Sequence, residues 1–239
     1  MSSLRLDWCS HKAAKYACER WHYTRLVPRN KLVKIGVWEE GHFIGVVIFG
    51  TGACDALGHR FGLSGFECCE LVRVALRQHK VPVTRIVSIA LTFLRRACPK
   101  IRLVVAFADP EAGHHGGIYQ AGNWIYSGRS EPSDELVING RRMHGRAVRS
   151  TLRGYVIPGH NTLERARIFY RDPKATIVKG SSKHRYLMPL DDGIRGQVLC
   201  LAQPYPKRVK QAMITYPVVS GGAAPTDALQ LSNELALSP

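Results

Sequence analysis

The sequence is short of acid. Eighteen aspartates and glutamates face thirty-four lysines and arginines, a formal net charge of +16. It also has no run of about 18 apolar residues, which excludes a helical membrane span. Its first residues, MSSLRLDWCSHKAAKY, contain no apolar core of a secretory signal, so none is expected. Cysteine is present at 9, 18, 54, 68, 69, 98 and 200, but the count is odd and no Cys-x-x-Cys occurs. That pattern argues against a disulfide framework and a cysteine zinc site, and for free thiols in a reducing cytoplasm. Apolar residues make up 45% of the chain, the composition of an ordinary folded protein with a core.

The positive charge is concentrated. Residues 141–210 carry sixteen Lys or Arg against Glu164, Asp172, Asp191 and Asp192, which is +12 of the +16. Such a segment attracts polyanions, and nucleic acid is the leading partner. A solvated basic surface is the plain alternative. An anionic membrane surface fits less well, because the basic residues do not lie opposite an apolar helical stripe.

Periodicity divides the first 128 residues into alternating elements. Residues 10–21 read as a helix, with Ser10 as N-cap and Ala13, Ala17 and Trp21 on one face. KLVKIGVW (31–38) and HFIGVVIF (42–49) read as strands joined by a hairpin at Glu39-Glu40-Gly41. Residues 50–66 read as a loop. Residues 70–76 read as a strand that turns Leu71, Arg73 and Ala75 one way and Glu70, Val72, Val74 and Leu76 the other. A helix is expected over 84–97, with Ile86, Ala90, Phe93, Leu94 and Ala97 inward, and Pro99 stops it. The apolar run 101–107 fits a strand buried on both faces. A short helix around 116–122 and a strand from Trp124 follow. Further on, 155–158, 175–179 and 184–190 read as short strands and 163–170 as a helix. The fold class expected is α/β, or α+β layered: a mixed central sheet flanked by helices. The domain expectation is one domain over 1–205 and a flexible tail over 206–239, where Pro, Ser, Gly and Ala accumulate.

Two resemblances sharpen this reading. The unit from ELVRVAL to GGIYQAGNWIYSG resembles the core of the GNAT acyltransferases, whose last helix often runs apolar residue, Tyr, two residues, Gly, aromatic. Here that run is Ile118-Tyr119-Gln120-Ala121-Gly122-Asn123-Trp124. More specifically, six motifs occur in order: WHY (21–23), KLVKIGVWEEGHFIGVVIFG (31–50), ECCELVRVAL (67–76), FADP (107–110), HHGGIYQAGNWIYSGRS (114–130) and KHRYLMPLD (183–191). Together they resemble the Mom family of bacteriophage proteins over residues 10–191. The resemblance implies a phage DNA hypermodification enzyme in the cytoplasm of the bacterial host. It would convert adenine in DNA to N6-(carbamoylmethyl)adenine and so protect phage DNA from restriction. The partner it implies is double-stranded DNA.

The sequence departs from ordinary GNAT enzymes at one place. Their glycine-rich pyrophosphate loop is replaced by Arg77-Gln78-His79-Lys80-Val81-Pro82, which has no glycine to let a backbone approach a phosphate. This counts against acetyl-CoA as donor. The added group has the atoms of a glycyl unit, so an activated acyl donor is expected, with glycyl-tRNA favoured and acetyl-CoA the alternative. tRNA is then a second possible partner.

The candidate catalytic residues are Tyr119, Asp109, His114 and His115. Tyr119 stands where the resemblance places a tyrosine that protonates the leaving group; it is otherwise a core aromatic. Asp109 follows the buried strand and is read as proton acceptor or as a turn residue before Pro110. His114 and His115 precede Gly116 and Gly117, which permit a close backbone approach; a base, a substrate contact and a structural loop all remain open. Whether a metal is used is left unknown. Candidate substrate contacts are Trp21, His22 and Tyr23 for stacking on a flipped adenine, and Glu70, Arg73, Gly116, Gly117, Asn123 and Trp124. Asn123 is equally a helix C-cap. Arg141, Arg142, Arg146, Lys183, His184, Arg185 and Tyr186 form the candidate nucleic-acid surface. Two other functions stay open: an N-acyltransferase acting on RNA or protein amines, and a non-catalytic DNA-binding protein.

Overall fold

The computed structural model describes residues 3–28, 31–52 and 57–207. The expected tail lies almost wholly outside the described residues. Two compact units emerge: the described residues within 1–108, 115–128 and 185–207 form the first, and 109–114 with 129–184 the second.

The first unit is built on a seven-stranded sheet. In chain order its elements are β1 (Leu4–Trp8), α1 (His11–Trp21), β2 (Leu32–Glu39), β3 (His42–Gly50), β4 (Cys68–Leu76), α2 (Val83–Ala97), β5 (Leu103–Ala108), α3 (Gly117–Ala121) and β6 (Ile125–Arg129). The second unit supplies β7 (Asp134–Ile138), β8 (Arg141–His144), α4 (Gly145–Thr151), α5 (Thr162–Phe169) and β9 (Thr176–Lys179). The chain then returns to the first unit with β10 (His184–Pro189) and α6 (Asp192–Leu199). The large sheet has the order β1-β2-β3-β4-β5-β10-β6. β1 to β4 form an antiparallel meander, and β4 and β5 are parallel. This is the mixed, helix-flanked α/β sheet that the alternation of patterns predicts.

Local chemistry explains the elements. The Ser10 side chain accepts the Ala13 amide and caps α1. Glu40 and Gly41 both take positive φ, 52° and 80°, the tight hairpin turn that glycine favours. Cys68 and Cys69 are adjacent on β4, and their side chains enter different core clusters on the two faces of the sheet. One facing rule fails. Ile48 pairs with Arg73 but Phe49 with Leu71, so a bulge at Val72 shifts the register. Leu71 therefore shares its cluster with Val74 and Leu76, while Val72 and Ala75 pack under α1. On α2, Ile86, Ala90 and Leu94 are buried as the period requires, joined by Val87 and Leu91, whereas Ala97 is exposed. Residues 155–157 have no regular structure and a turn follows at 158–159, so no strand forms there, and β1, β7, β8, α4 and α6 were not legible as elements.

The second unit has its own core. Leu136 and Ile138 of β7 pack with Val148, Leu152, Ala166 and Ala175. Its sheet has the antiparallel order β8-β7-β9.

Candidate functional site

β4 and β5 pair only over Cys68–Glu70 and Leu103–Val105. β4 runs on to Leu76 and β5 to Ala108, and no further register pair joins them among the described residues. Two adjacent parallel strands thus part beyond Glu70, toward their carboxyl ends, where sheets of this kind hold ligands. Tyr119 of α3 belongs to the same apolar cluster as Leu71, Ala106 and Ala108.

Tyr119 is 8% exposed, and its hydroxyl makes no hydrogen bond to the described residues. Burial pushes its phenol well above the ordinary tyrosine value, and negative charge at Glu70, Tyr23 and Tyr186 adds to the effect. The group is therefore a neutral proton donor throughout the physiological range. Its ring lies 5.1 Å from both Trp124 and Tyr186, so its position is fixed by aromatic packing.

The two glycines before α3 have distinct reasons. Gly116 has φ +84°, and a Cβ there would overlap the Tyr186 ring. Tyr186 is wholly buried, donates its hydroxyl to the His115 carbonyl at 2.5 Å and accepts from Gln120 Nε2 at 3.0 Å. At Gly117 a Cβ would press on the His115 ring at 3.1 Å. The His-His-Gly-Gly stretch is thus a sharp entry to α3 that lets Tyr186 lie against the backbone. Gln120 also donates to the Pro206 carbonyl at 3.2 Å, and Tyr205 donates its hydroxyl to the Trp124 carbonyl at 2.8 Å. Residues 203–206 therefore strap α3 to β6, a feature the sequence did not signal.

Several candidates take structural places. Trp124 is 1% exposed and is core rather than a substrate contact. Asn123 is exposed with φ 58°, the left-handed residue that ends α3. Arg185 is buried and donates to the Ser127 hydroxyl and carbonyl at 2.9 Å each. Arg185 and Tyr186 are thus removed from any nucleic-acid surface. Arg185, Tyr186 and Leu187 of β10 are buried in succession, the pattern of a strand covered on both faces, and basic or aromatic residue type concealed that. Arg73 donates to the carbonyls of Leu26 and Val72. His22 Nδ1 accepts the Thr24 amide at 3.2 Å, and its ring lies 4.5 Å from Tyr23, which is half exposed. Trp21 is half-buried against Tyr16 and Phe43.

Asp109 and His114 belong to the second unit, whereas Tyr119 and His115 belong to the first. The Asp109 carboxylate caps the turn that follows it, accepts the Ser181 hydroxyl at 3.0 Å and pairs with Lys183 at 3.1 Å. Partial burial opposes ionisation, but Lys183, the Ser181 hydroxyl and the Glu111 amide together outweigh it, and the carboxyl lies below its usual range. Arg142 pairs with Glu135 at 2.9 Å and with Glu111 at 3.7 Å. Arg141, Arg146 and His114 are exposed, and Lys183 and His184 half-buried. Among the described residues no group of three His, Cys, Asp or Glu side chains gathers to hold a metal. No described helix is long and apolar enough to cross a membrane.

The loop without glycine carries the most informative contact that sequence reading missed. The amides of Lys80 and Val81, just before α2, donate to the Glu39 carboxylate at 3.1 and 2.8 Å. These bonds, that of Lys80 foremost, hold the Glu39 carboxyl below its ordinary value. The two amides of the loop just before α2 are thus occupied by the protein's own anion.

Comparison of the sequence with known proteins gives a family match. The profile of the Mom protein family matches residues 3–207. The methylcarbamoylase mom of Escherichia phage Mu is 26% identical over 213 residues, covering 85% of this chain and 84% of its own.

Proposed function

This chain belongs to the Mom protein family, and on that premise we propose that it modifies adenine in double-stranded DNA to N6-(carbamoylmethyl)adenine by GNAT-like glycyl transfer. The observation that carries the reading is Tyr119. A buried, neutral phenol that is hydrogen-bonded to no described residue, packed beside two parting parallel strands, suits a proton donor to a leaving group.

In this reading the adenine N6 amine attacks the carbonyl of a glycyl ester. The ester C–O bond breaks, and Tyr119 protonates the departing oxygen. Glu70, whose charge is felt at Tyr119, takes the proton from N6. The glycyl amine then attacks ring carbon C6, and the original C6–N6 bond breaks. The freed nitrogen becomes the terminal carboxamide. The balance is one glycyl unit added and one donor hydroxyl released, with no redox partner needed. Glycyl-tRNA is the donor that fits. Glu39 argues against acetyl-CoA, because a pyrophosphate held by the amides of the loop before α2 would have to displace a carboxylate already bonded to those of Lys80 and Val81.

The test is nucleoside mass spectrometry of DNA incubated with the protein, with and without glycyl-tRNA. The expected product is a deoxyadenosine heavier by one glycyl unit, formed only with the donor. Tyr119→Phe should slow its formation by roughly 10²–10⁴-fold. Product in the absence of any aminoacyl donor would overturn the donor assignment. Unmodified DNA in every condition would overturn the reading itself.

A further inference from the structure

The second unit has no assigned task in the chemistry above, yet it carries a one-sided charge. Val148 and Leu152 of the α4 segment face the unit's core. Arg146 and Arg149 on α4, and Arg153 in the turn after it, follow at i, i+3 and i+7, on a side of the segment adjoining the one that meets the core. All three are exposed. The helix GRAVRST contains no acid.

Six of the seven acids in the unit are engaged, and the seventh, Glu131, is exposed in the segment before β7. Asp134 binds Lys179 at 2.6 Å, Glu135 and Glu111 bind Arg142, and Asp109 binds Lys183. Glu164 accepts the Asn161 amide, and Asp172 accepts the amides of Asn139 and Lys174. No ion pair within 4 Å reaches Arg149 or Arg153 among the described residues, although Asp134 feels the charge of Arg149. The excess positive field is visible at His144, the N-cap of α4. Burial first, then Arg146 and Lys183, lower its pKa, and its Nδ1 accepts the Arg146 amide at 3.2 Å.

We infer that Arg146, Arg149 and Arg153 form the surface by which this protein grips the phosphate backbone of duplex DNA. The inference rests on the proposed action on DNA and names where that substrate is held. Guanidinium groups bind phosphate oxygens in pairs, which suits three arginines aligned along one face. The face spans about 10 Å at 1.5 Å per residue, roughly three base-pair steps of one strand. α4 has no aromatic residue, so it offers no stacking platform for unpaired bases. Contacts of this kind set position and affinity, and leave sequence unread.

The experiment is the salt dependence of Kd for a fluorescent DNA duplex, measured by anisotropy on the full chain. Arg146→Gln/Arg149→Gln/Arg153→Gln is compared with Arg85→Gln/Arg95→Gln/Arg96→Gln, which removes equal charge from exposed positions of α2. The α4 triple should flatten the log–log slope by about 0.9 per lost phosphate contact, close to 3 in all. The α2 triple should leave the slope as it is. An unchanged slope in the α4 triple, or equal losses in both, overturns the inference. So does loss of tRNA binding with duplex binding intact, which would assign the face to RNA. The readout is binding, so an absence of modified nucleoside would refute the proposed function without deciding this question.

Discussion

The two units divide their charge differently between architecture and surface. In the first, charged side chains hold the architecture: Glu39 binds the loop before α2, Arg73 and Arg185 bind backbone carbonyls, and Arg102 joins Asp191 at 2.8 Å. In the second, Arg141, Arg146, Arg149, Arg153 and Lys174 are exposed around a small apolar core. The lesson is that +16 is not one property. Part of it is spent on folding, and only the exposed remainder can meet a polyanion.

The comparison breaks first at Gly116. Alanine there must adopt φ near +84° and overlap the Tyr186 ring. Strain and overpacking together should destabilise the protein by about 3 kcal/mol or more, with loss of modification. Thermal melting would check this, with Tyr186→Phe as companion. The Phe variant keeps the ring and removes only the hydroxyl bonds to His115 and Gln120, so it should lose less. A Gly116→Ala variant as stable as wild type would contradict the packing described for α3.

How much of this was legible depends on range. Strands β2 to β5 and helices α1 and α2 follow from local periodicity and capping, whereas the Tyr119 motif was legible through its resemblance to the last helix of the GNAT acyltransferases. The bulge at Val72 was hidden, because one extra residue in a ladder leaves the residue pattern intact while reversing the facing of everything beyond it. Glu39 looked like a hairpin residue because its partners lie about forty residues away. Arg185 and Tyr186 looked like surface because a basic and a polar aromatic type are ordinarily exposed, yet their hydrogen bonds permit burial. At the site, Tyr119 was legible as a motif; the separation of Asp109 from it into another unit was not.

A smaller effect is expected at Glu39. Glu39→Gln keeps the side chain's length but weakens acceptance from the Lys80 and Val81 amides. Tm should fall by roughly 2–4 °C at neutral pH. If Glu39 stands in place of an external anion, the variant should also gain stability from added pyrophosphate that the wild type does not show. A wild type that is itself stabilised by pyrophosphate would remove the argument against a coenzyme A donor.

The smallest effect concerns Arg102 and Asp191, a pair that the charge contrast assigns to folding. Hydrogen bonding to Arg102, foremost, and then to the Ile194 amide draws the Asp191 carboxyl from 3.8 down to about 2. Its folded-state pKa is depressed, so its contribution is complete above about pH 4 and is lost as the pH falls toward 2. Asp191→Asn lacks that contribution at every pH. The gap in Tm between wild type and variant should therefore be constant above pH 4 and close progressively below it. Both side chains are more than one-third exposed, so the gap should be modest and should shrink with added salt. A gap that stays open down to pH 2 would mean that Asp191 acts there through its capping of α6 rather than through its charge.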